Sequence, residues 1–168
     1  IDDIVAKSNE VNELPYDYII GVGQMETSIK QFDKLIEAYS NSTLPQANIH
    51  LVLLGKVHRL LNFQKLLNER IIADKVHFLG YQVNQFKFLS KARYFVLSSL
   101  NEGLPNVILE SLACETPVIA FNCRSGPSEM IQDKENGLLV ENQNIEKLTE
   151  AMNLFVEDED LYKYCKKH

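Results

Sequence analysis

"RYFVLSSLNEGLPNVILESLACETPVIAF", Arg93 to Phe121, decides how this chain is read. Phe95, Val96 and Leu97 form an apolar run without polar alternation, as expected of a strand covered on both faces. "NVILESLAC" is an apolar helical pattern, and "TPVIAF" is a second buried strand. Strand, helix and strand make a βαβ unit, whose crossover is right-handed. Glu102, Gly103 and Pro105 stand where the first strand gives way to the helix, and Glu110 lies inside that helix.

The same alternation runs outward in both directions. "YDYIIGVG", "NIHLVLLG", "KVHFLG" and "NGLLV" read as further strands. Between and after them, "IKQFDKLIEAY", "LLNFQKLLNERI", "VNQFKFLSKA", "PSEMIQD", "NIEKLTEAMNLFVED" and "EDLYKYCKKH" read as helices. Phe32, Leu35, Ile36 and Tyr39 are in helical phase, as are Leu60, Phe63, Leu66, Leu67 and Ile71. The expectation is an α/β protein with a Rossmann-like, doubly wound parallel sheet of about six strands. It forms one domain over residues 1–168. Such sheets bind ligands beyond the carboxyl ends of their strands, so loops leaving those ends should share one rim.

Composition narrows the function. The chain carries 17 basic and 23 acidic residues, a formal charge of −6, with no basic run, which argues against nucleic acid as a partner. Cys114, Cys123 and Cys165 form no CxxC pair and read as reduced thiols of a cytosolic protein. "IDDIVAKSNE" is too polar for a signal peptide. The chain starts without Met and stops in a helical stretch, the expectation being a piece of a longer protein. His50, His58, His77 and His168 show no metal spacing, and "EDED", Glu157 to Asp160, reads as a solvated acidic cap.

Around Glu102 the residue types suit an anion flanked by hydroxyls. Gly103 lets backbone approach a ligand closely. Pro105 fits the first turn of a helix, leaving the Asn106 and Val107 amides for an anion at the positive end of the helix dipole. Carboxylates beside such a site make sense as acceptors from hydroxyls, one acid for a sugar and the other for a ribose. The plain alternative is a loop acid and a helix acid in solvent. Gly21-Val22-Gly23 resembles a dinucleotide fingerprint, but Glu26 holds the third glycine's place. Lys30, near a helix start where acids are preferred, is either a cation awaiting an anion or a surface lysine. Glu129 fits capping preferences in the first turn after "RSGP".

These segments resemble the C-terminal, nucleotide-sugar-binding domain of a GT-B glycosyltransferase of the retaining family 4, the group 1 glycosyl transferases. "NEGLPNVILESLACETPVIAF" resembles its E-x7-E segment, and "VGQMETSIKQFDKLIEAY" its first phosphate loop. "KVHFLGYQV" and "GPSEMIQDKENGLLV" resemble two further blocks. The resemblance implies that Glu102 bonds sugar hydroxyls and Glu110 the ribose. Lys30 would neutralise the diphosphate beside Gly23 and Gln24. Backbone of Gly103, Leu104, Pro105, Asn106 and Val107 would hold sugar and diphosphate, while Tyr81, Gln82 and Val83 edge the nucleobase. It implies transfer with retention, no cofactor and no metal. The partners would be a UDP- or GDP-type nucleotide-diphosphate sugar and a carbohydrate or lipid-linked acceptor, the latter held by an N-terminal domain outside this chain. Envelope polysaccharide or lipopolysaccharide synthesis in the cytoplasm, at the inner face of the membrane if the other domain carries membrane contacts, is the family-level expectation. A nucleotide-sugar epimerase of related fold and a Rossmann-like interaction module stand as alternatives.

The chain departs from the family pattern twice. Gln24 replaces an Arg; a charge-assisted hydrogen bond contributes about 1.5–3 kcal/mol, so its loss weakens binding roughly 10- to 150-fold unless Arg59 or Arg124 compensates. Glu115 replaces a Gly at a helix C-terminus, where an acid opposes the dipole.

Overall fold

The computed structural model describes residues 2–24, 29–57 and 60–168. In chain order the elements are α1 (Asp2–Ser8), β1 (Tyr18–Val22), α2 (Phe32–Asn41), β2 (His50–Leu54), α3 (Leu60–Glu69), β3 (Val76–Gly80), α4 (Phe86–Leu89), β4 (Phe95–Leu97), α5 (Asn106–Ala113), β5 (Val118–Phe121), α6 (Pro127–Met130), β6 (Gly137–Val140), α7 (Ile145–Glu157) and α8 (Glu159–Lys167). The strands form one parallel sheet in the order β3-β2-β1-β4-β5-β6. This is the doubly wound order, whose direction reverses between β1 and β4. There the two strands pair only through Ile20 and Phe95.

Each strand divides its residues between two cores, because successive side chains point to opposite faces. Ile19, Leu51, Leu53, Val96, Ile119 and Phe121 pack with α2 and α7. Ile20, Val52, Leu54, Phe95, Leu97 and Ala120 pack on the other face with α4 and α5. Helix α2 buries Phe32, Leu35, Ile36 and Tyr39, the predicted stripe. Each such side chain contributes about 1.5–3 kcal/mol relative to exposure. Three buried tyrosines satisfy their hydroxyls on backbone carbonyls: Tyr18 on Phe88 at 2.6 Å, Tyr39 on Ile49 at 2.7 Å and Tyr94 on Met152 at 3.0 Å. Gly21 sits in the central strand because a Cβ there would stand 2.9 Å from Leu35, Leu53 and Phe32.

Three local readings change. Residues 2–8 are helical although the sequence reading left them unassigned. The helix lacks a long apolar stripe and is held from outside: Ser90 Oγ donates to Ser8 O and Asn84 Nδ2 to Lys7 O, both at 2.9 Å. Helix α2 starts at Phe32 rather than Ile29, since Gln31 takes a left-handed φ of 49° at its N-cap. The expected helix over 83–92 contracts to Phe86–Leu89. The acidic stretch behaves as read: Asp158 accepts from the Leu161 amide at the start of α8, and Glu159 pairs with Lys163. Glu129 is exposed in the first turn of α6.

Helix α5 ends in a Schellman motif: the Thr116 amide donates to Ser111 O at 3.0 Å and the Glu115 amide to Leu112 O at 2.9 Å. Glu115 occupies its left-handed position, with φ 56°. The side chain thus has two faults, a Cβ where glycine is preferred and a negative charge at the negative end of the dipole. Glu115→Gly is expected to stabilise by about 1 kcal/mol, after the entropy of the freer unfolded chain is set against it. A melting temperature higher by about 2–4 °C in thermal unfolding checks this; an unchanged or lower one contradicts it.

His50 and His77 stack on Tyr16, with ring centroids 4.1 and 4.5 Å away, and His50 Nδ1 lies 2.8 Å from His77 Nε2. One ring must donate to the other, so they cannot both be imidazolium. Burial, followed by Lys75 for His50 and by His50 for His77, holds both below the ordinary histidine value. The folded state therefore binds protons less readily than the unfolded one. Stability is full above about pH 6.5 and declines as pH falls through the depressed values. The acid-side loss of melting temperature should be shallower in His77→Phe than in the parent; equal slopes would contradict it.

Candidate functional site

The candidate site is assembled where β1 and β4 diverge. Glycines end three neighbouring strands or follow them directly: Gly23 after β1, Gly55 after β2 and Gly80 in β3. The Gly23 amide donates to Leu54 O at 3.0 Å and the Gly55 amide to Gly80 O at 2.9 Å. A Cβ on Gly55, whose φ is 133°, would stand 1.7 Å from Gly23 O, so only glycine fits. Beyond these ends lies a cleft of about 550 Å³. Gly23, Gln24, Tyr81, Gln82 and Val107 line it, together with Gly55, Lys56 and Gln85, which the sequence reading did not single out. A larger groove of about 630 Å³ runs along β6 and α7, away from both candidate acids. The smaller cleft is the candidate because it opens at the carboxyl rim; neither acid lines it, but Glu110 is bonded to its lining residue Gln85, and Glu102 to Lys30, which packs on its lining residue Gly23.

Lys30 and Glu102 meet across the strand divergence, Nζ 2.5 Å from Oε1. Their side chains are 23% and 10% exposed. The same carboxylate oxygen accepts from Ser99 Oγ at 2.5 Å. The two loops are also joined by backbone: Ser98 Oγ donates to Lys30 O and the Leu100 amide to Ile29 O, each at 2.8 Å. A third loop closes on the same place, with Ser125 Oγ donating to Glu102 O at 2.8 Å. Gly126, at φ 97°, lies so close that a Cβ would be 2.7 Å from Pro105 Cδ. Glu110 is held apart from this cluster, accepting from Gln85 Nε2 at 2.5 Å.

The start of α5 differs in detail from expectation. Pro105 is buried at the N-cap rather than in the first turn. The Asn106 amide is not free: it turns back to Leu104 O at 2.8 Å, a consequence of Pro105 adopting ψ 77°. Among the described residues the Gly103, Leu104 and Val107 amides have no backbone acceptor. Around Gly103 no atom lies within 4 Å of where a Cβ would stand, and Leu104 is exposed. Tyr81 is on the cleft wall, whereas Val83 is 91% exposed and outside the lining. Arg124 is exposed on the loop that meets Glu102 and does not line the cleft. Arg59 and Glu26 lie outside the described residues.

Two thiols lie close to the acids. Burial, then the charge of Glu110, pushes Cys114 up to about 11. Burial and then Glu102 raise Cys123. Both stay protonated near neutral pH, so neither is an activated nucleophile. Among the described residues no three His, Cys, Asp or Glu side chains gather to hold a metal ion, and no helix is long and apolar enough to cross a membrane.

Comparison with known proteins places this geometry in a family. The profile of Glycosyl transferases group 1 matches residues 4–168. The chain is 32% identical over 166 residues to the N-acetylgalactosamine-N,N'-diacetylbacillosaminyl-diphospho-undecaprenol 4-alpha-N-acetylgalactosaminyltransferase of Campylobacter jejuni subsp. jejuni serotype O:2, covering 99% of this chain and 44% of that one. It is 38% identical over 132 residues to the lipopolysaccharide core biosynthesis glycosyltransferase LpsE of Rhizobium meliloti, covering 79% and 37%. The crystal structure of Anabaena HepE in complex with UDP shares the fold, with a TM-score of 0.81 at 18% identity over 90% of this chain and 42% of that one. The chain spans less than half the length of these relatives. With a matching profile over nearly its whole length and the Rossmann-like sheet of GT-B glycosyltransferases, the chain belongs to the group 1 glycosyl transferases.

Proposed function

We propose that this chain is the donor-binding domain of a retaining glycosyltransferase that takes a sugar from a UDP- or GDP-type nucleotide. The observation that carries the reading is the Lys30–Glu102 pair at the edge of the glycine-floored cleft, where the Lys30 side chain lies 3.1 Å from the place of a Cβ on Gly23, a cleft-lining residue. In this reading the nucleotide enters the cleft along Tyr81 and Gln82, and Glu110 accepts from the ribose hydroxyls beside Gln85. The diphosphate passes Gly23 and draws the Lys30 ammonium from Glu102. Glu102 then accepts from the sugar hydroxyls next to the open backbone of Gly103. Positive charge gathered at the leaving diphosphate then lowers the barrier to its departure, as electrostatic stabilisation of developing charge does elsewhere. No metal has a role in this scheme. Lys56, on the cleft wall beside Gln24, supplies charge that the family's Arg would otherwise bring.

The acceptor, carbohydrate or lipid-linked, belongs to a second domain outside this chain, consistent with relatives more than twice as long. On this reading the chain alone binds donor without transferring sugar. The name of LpsE supports lipopolysaccharide synthesis as the setting, and the diphospho-undecaprenol in the other relative's name supports a lipid-linked acceptor; a place at the cytoplasmic face of the membrane is part of the proposal.

Calorimetric titration with UDP, GDP and ADP and their sugars, with and without Mg²⁺, tests the reading. Metal-independent binding of one nucleotide is expected, weaker by about tenfold or more in Glu110→Ala and in Lys56→Ala, since each loses a charged partner. Binding that requires Mg²⁺, or that ignores both changes, would overturn it.

A further inference from the structure

Two serines stand at the carboxyl end of β4, 2% and 1% exposed. Ser98 Oγ is spent on the backbone of the opposing loop, at Lys30 O. Ser99 Oγ is spent on Glu102 Oε1, the oxygen that also takes the Lys30 ammonium. Among the described residues Oε2 accepts no hydrogen bond. The carboxylate is thus fixed through one oxygen, by a cation and a hydroxyl, and has the other for a ligand.

We infer that Ser99 is the positioning residue for Glu102, holding its carboxylate in place when Lys30 turns to the donor's diphosphate; this rests on the donor-binding reading above. To neutralise a diphosphate, the Lys30 ammonium has to turn part of its three-donor capacity and charge away from Glu102. When the ammonium moves, a carboxylate 10% exposed loses its cation. Left alone it would be poorly solvated and free to change rotamer, and both weaken a hydrogen bond to an incoming hydroxyl. The Ser99 hydroxyl does not take part in that exchange. It leaves a strand end three residues before Glu102, is buried, and donates to the charged form of the acid. A hydroxyl donor also suits Glu102 better than a second cation would, because it leaves the carboxylate's charge available to the sugar hydroxyls. Ser99 therefore matters to the sugar half of the donor and little to the nucleotide half.

The difference between two ligands isolates this role. Affinities for UDP and UDP-N-acetylglucosamine, and for GDP and GDP-mannose, are measured on the parent and on Ser99→Ala, each variant first compared by thermal melting. Affinity for the nucleoside diphosphate alone should stay within about twofold, and affinity for the matching nucleotide sugar should fall about tenfold, the scale of one hydrogen bond to a charged group. Ser99→Thr, which keeps the hydroxyl, should restore it. Ser99→Ala combined with Glu102→Ala should be no weaker than Glu102→Ala alone. If Ser99→Ala fails to fold, Ser99→Cys, close in size with a poor donor, carries the same expectation. Equal loss for both ligands, or effects that add to those of Glu102→Ala, would overturn the inference and leave the donor-binding reading standing. A parent chain that binds none of the four ligands would overturn both.

Discussion

The sheet has helices on both faces, and that constraint organises everything else. A strand covered on two sides is apolar through its middle: β1 and β2 are buried at every position, and the one imidazole among them, His50, sits at the start of β2 paired with His77. No charged group with chemistry to perform can sit within such a strand. It is displaced to the loops, and the doubly wound order brings the loops of β1 and β4 to opposite sides of a gap. The gap exists because one strand crosses over to the left of β1 and the next to the right. Lys30 and Glu102, 72 positions apart in sequence, become neighbours for that topological reason.

Closeness of backbone is the second constraint. Where the strands end, their chains run too near one another for side chains, hence Gly55 against Gly23 O and Gly126 against Pro105. Those contacts leave little space for the loops to shift. They also leave a floor of bare backbone, to which a charged ligand can come close without displacing protein atoms. The polar groups at the rim are then held by one another: Ser98 to the Lys30 carbonyl, Ser99 and Lys30 to Glu102, Gln85 to Glu110. A site prepared in this way loses less side-chain entropy when it binds.

Most of the sheet was legible because its pattern is local. Unbroken apolar runs bounded by Gly, alternating with stripes at helical spacing, give six strands and their right-handed crossovers with no knowledge of contacts. The motifs around Glu102 and Glu110 were legible for a different reason, the resemblance of four ordered segments to one family. What the sequence hid depends on partners far along the chain. Helix α1 has little stripe of its own and leans on α4 through Asn84 and Ser90. Gln85 gains meaning only when β3 and β4 bring it to Glu110. The direction of the Asn106 amide follows from one ψ angle at Pro105, which residue type alone does not fix. Glu115 is the intermediate case: the resemblance of its segment to the family pattern leads one to expect glycine there, and the left-handed φ supplies the physical cost.

For an acidic chain, the proposed anion site poses an electrostatic problem to which the geometry offers an answer. The formal charge of −6 repels a diphosphate at long range. At about 8–10 Å, the screening length near physiological salt, that repulsion fades, and the local arrangement decides. Locally the positive groups are Lys30, Lys56 and the amides near the start of α5, while Glu102 masks Lys30 until a stronger anion competes for it. On the donor-binding reading, that masking would confer selectivity. On that reading, a diphosphate would draw the ammonium away, and the carboxylate so released would favour a ligand that also brings hydroxyls. An inorganic anion meets the first condition and fails the second; a free sugar does the reverse. On the donor-binding reading, the Lys30–Glu102 pair is thus the element that would ask for both halves of a nucleotide sugar at once.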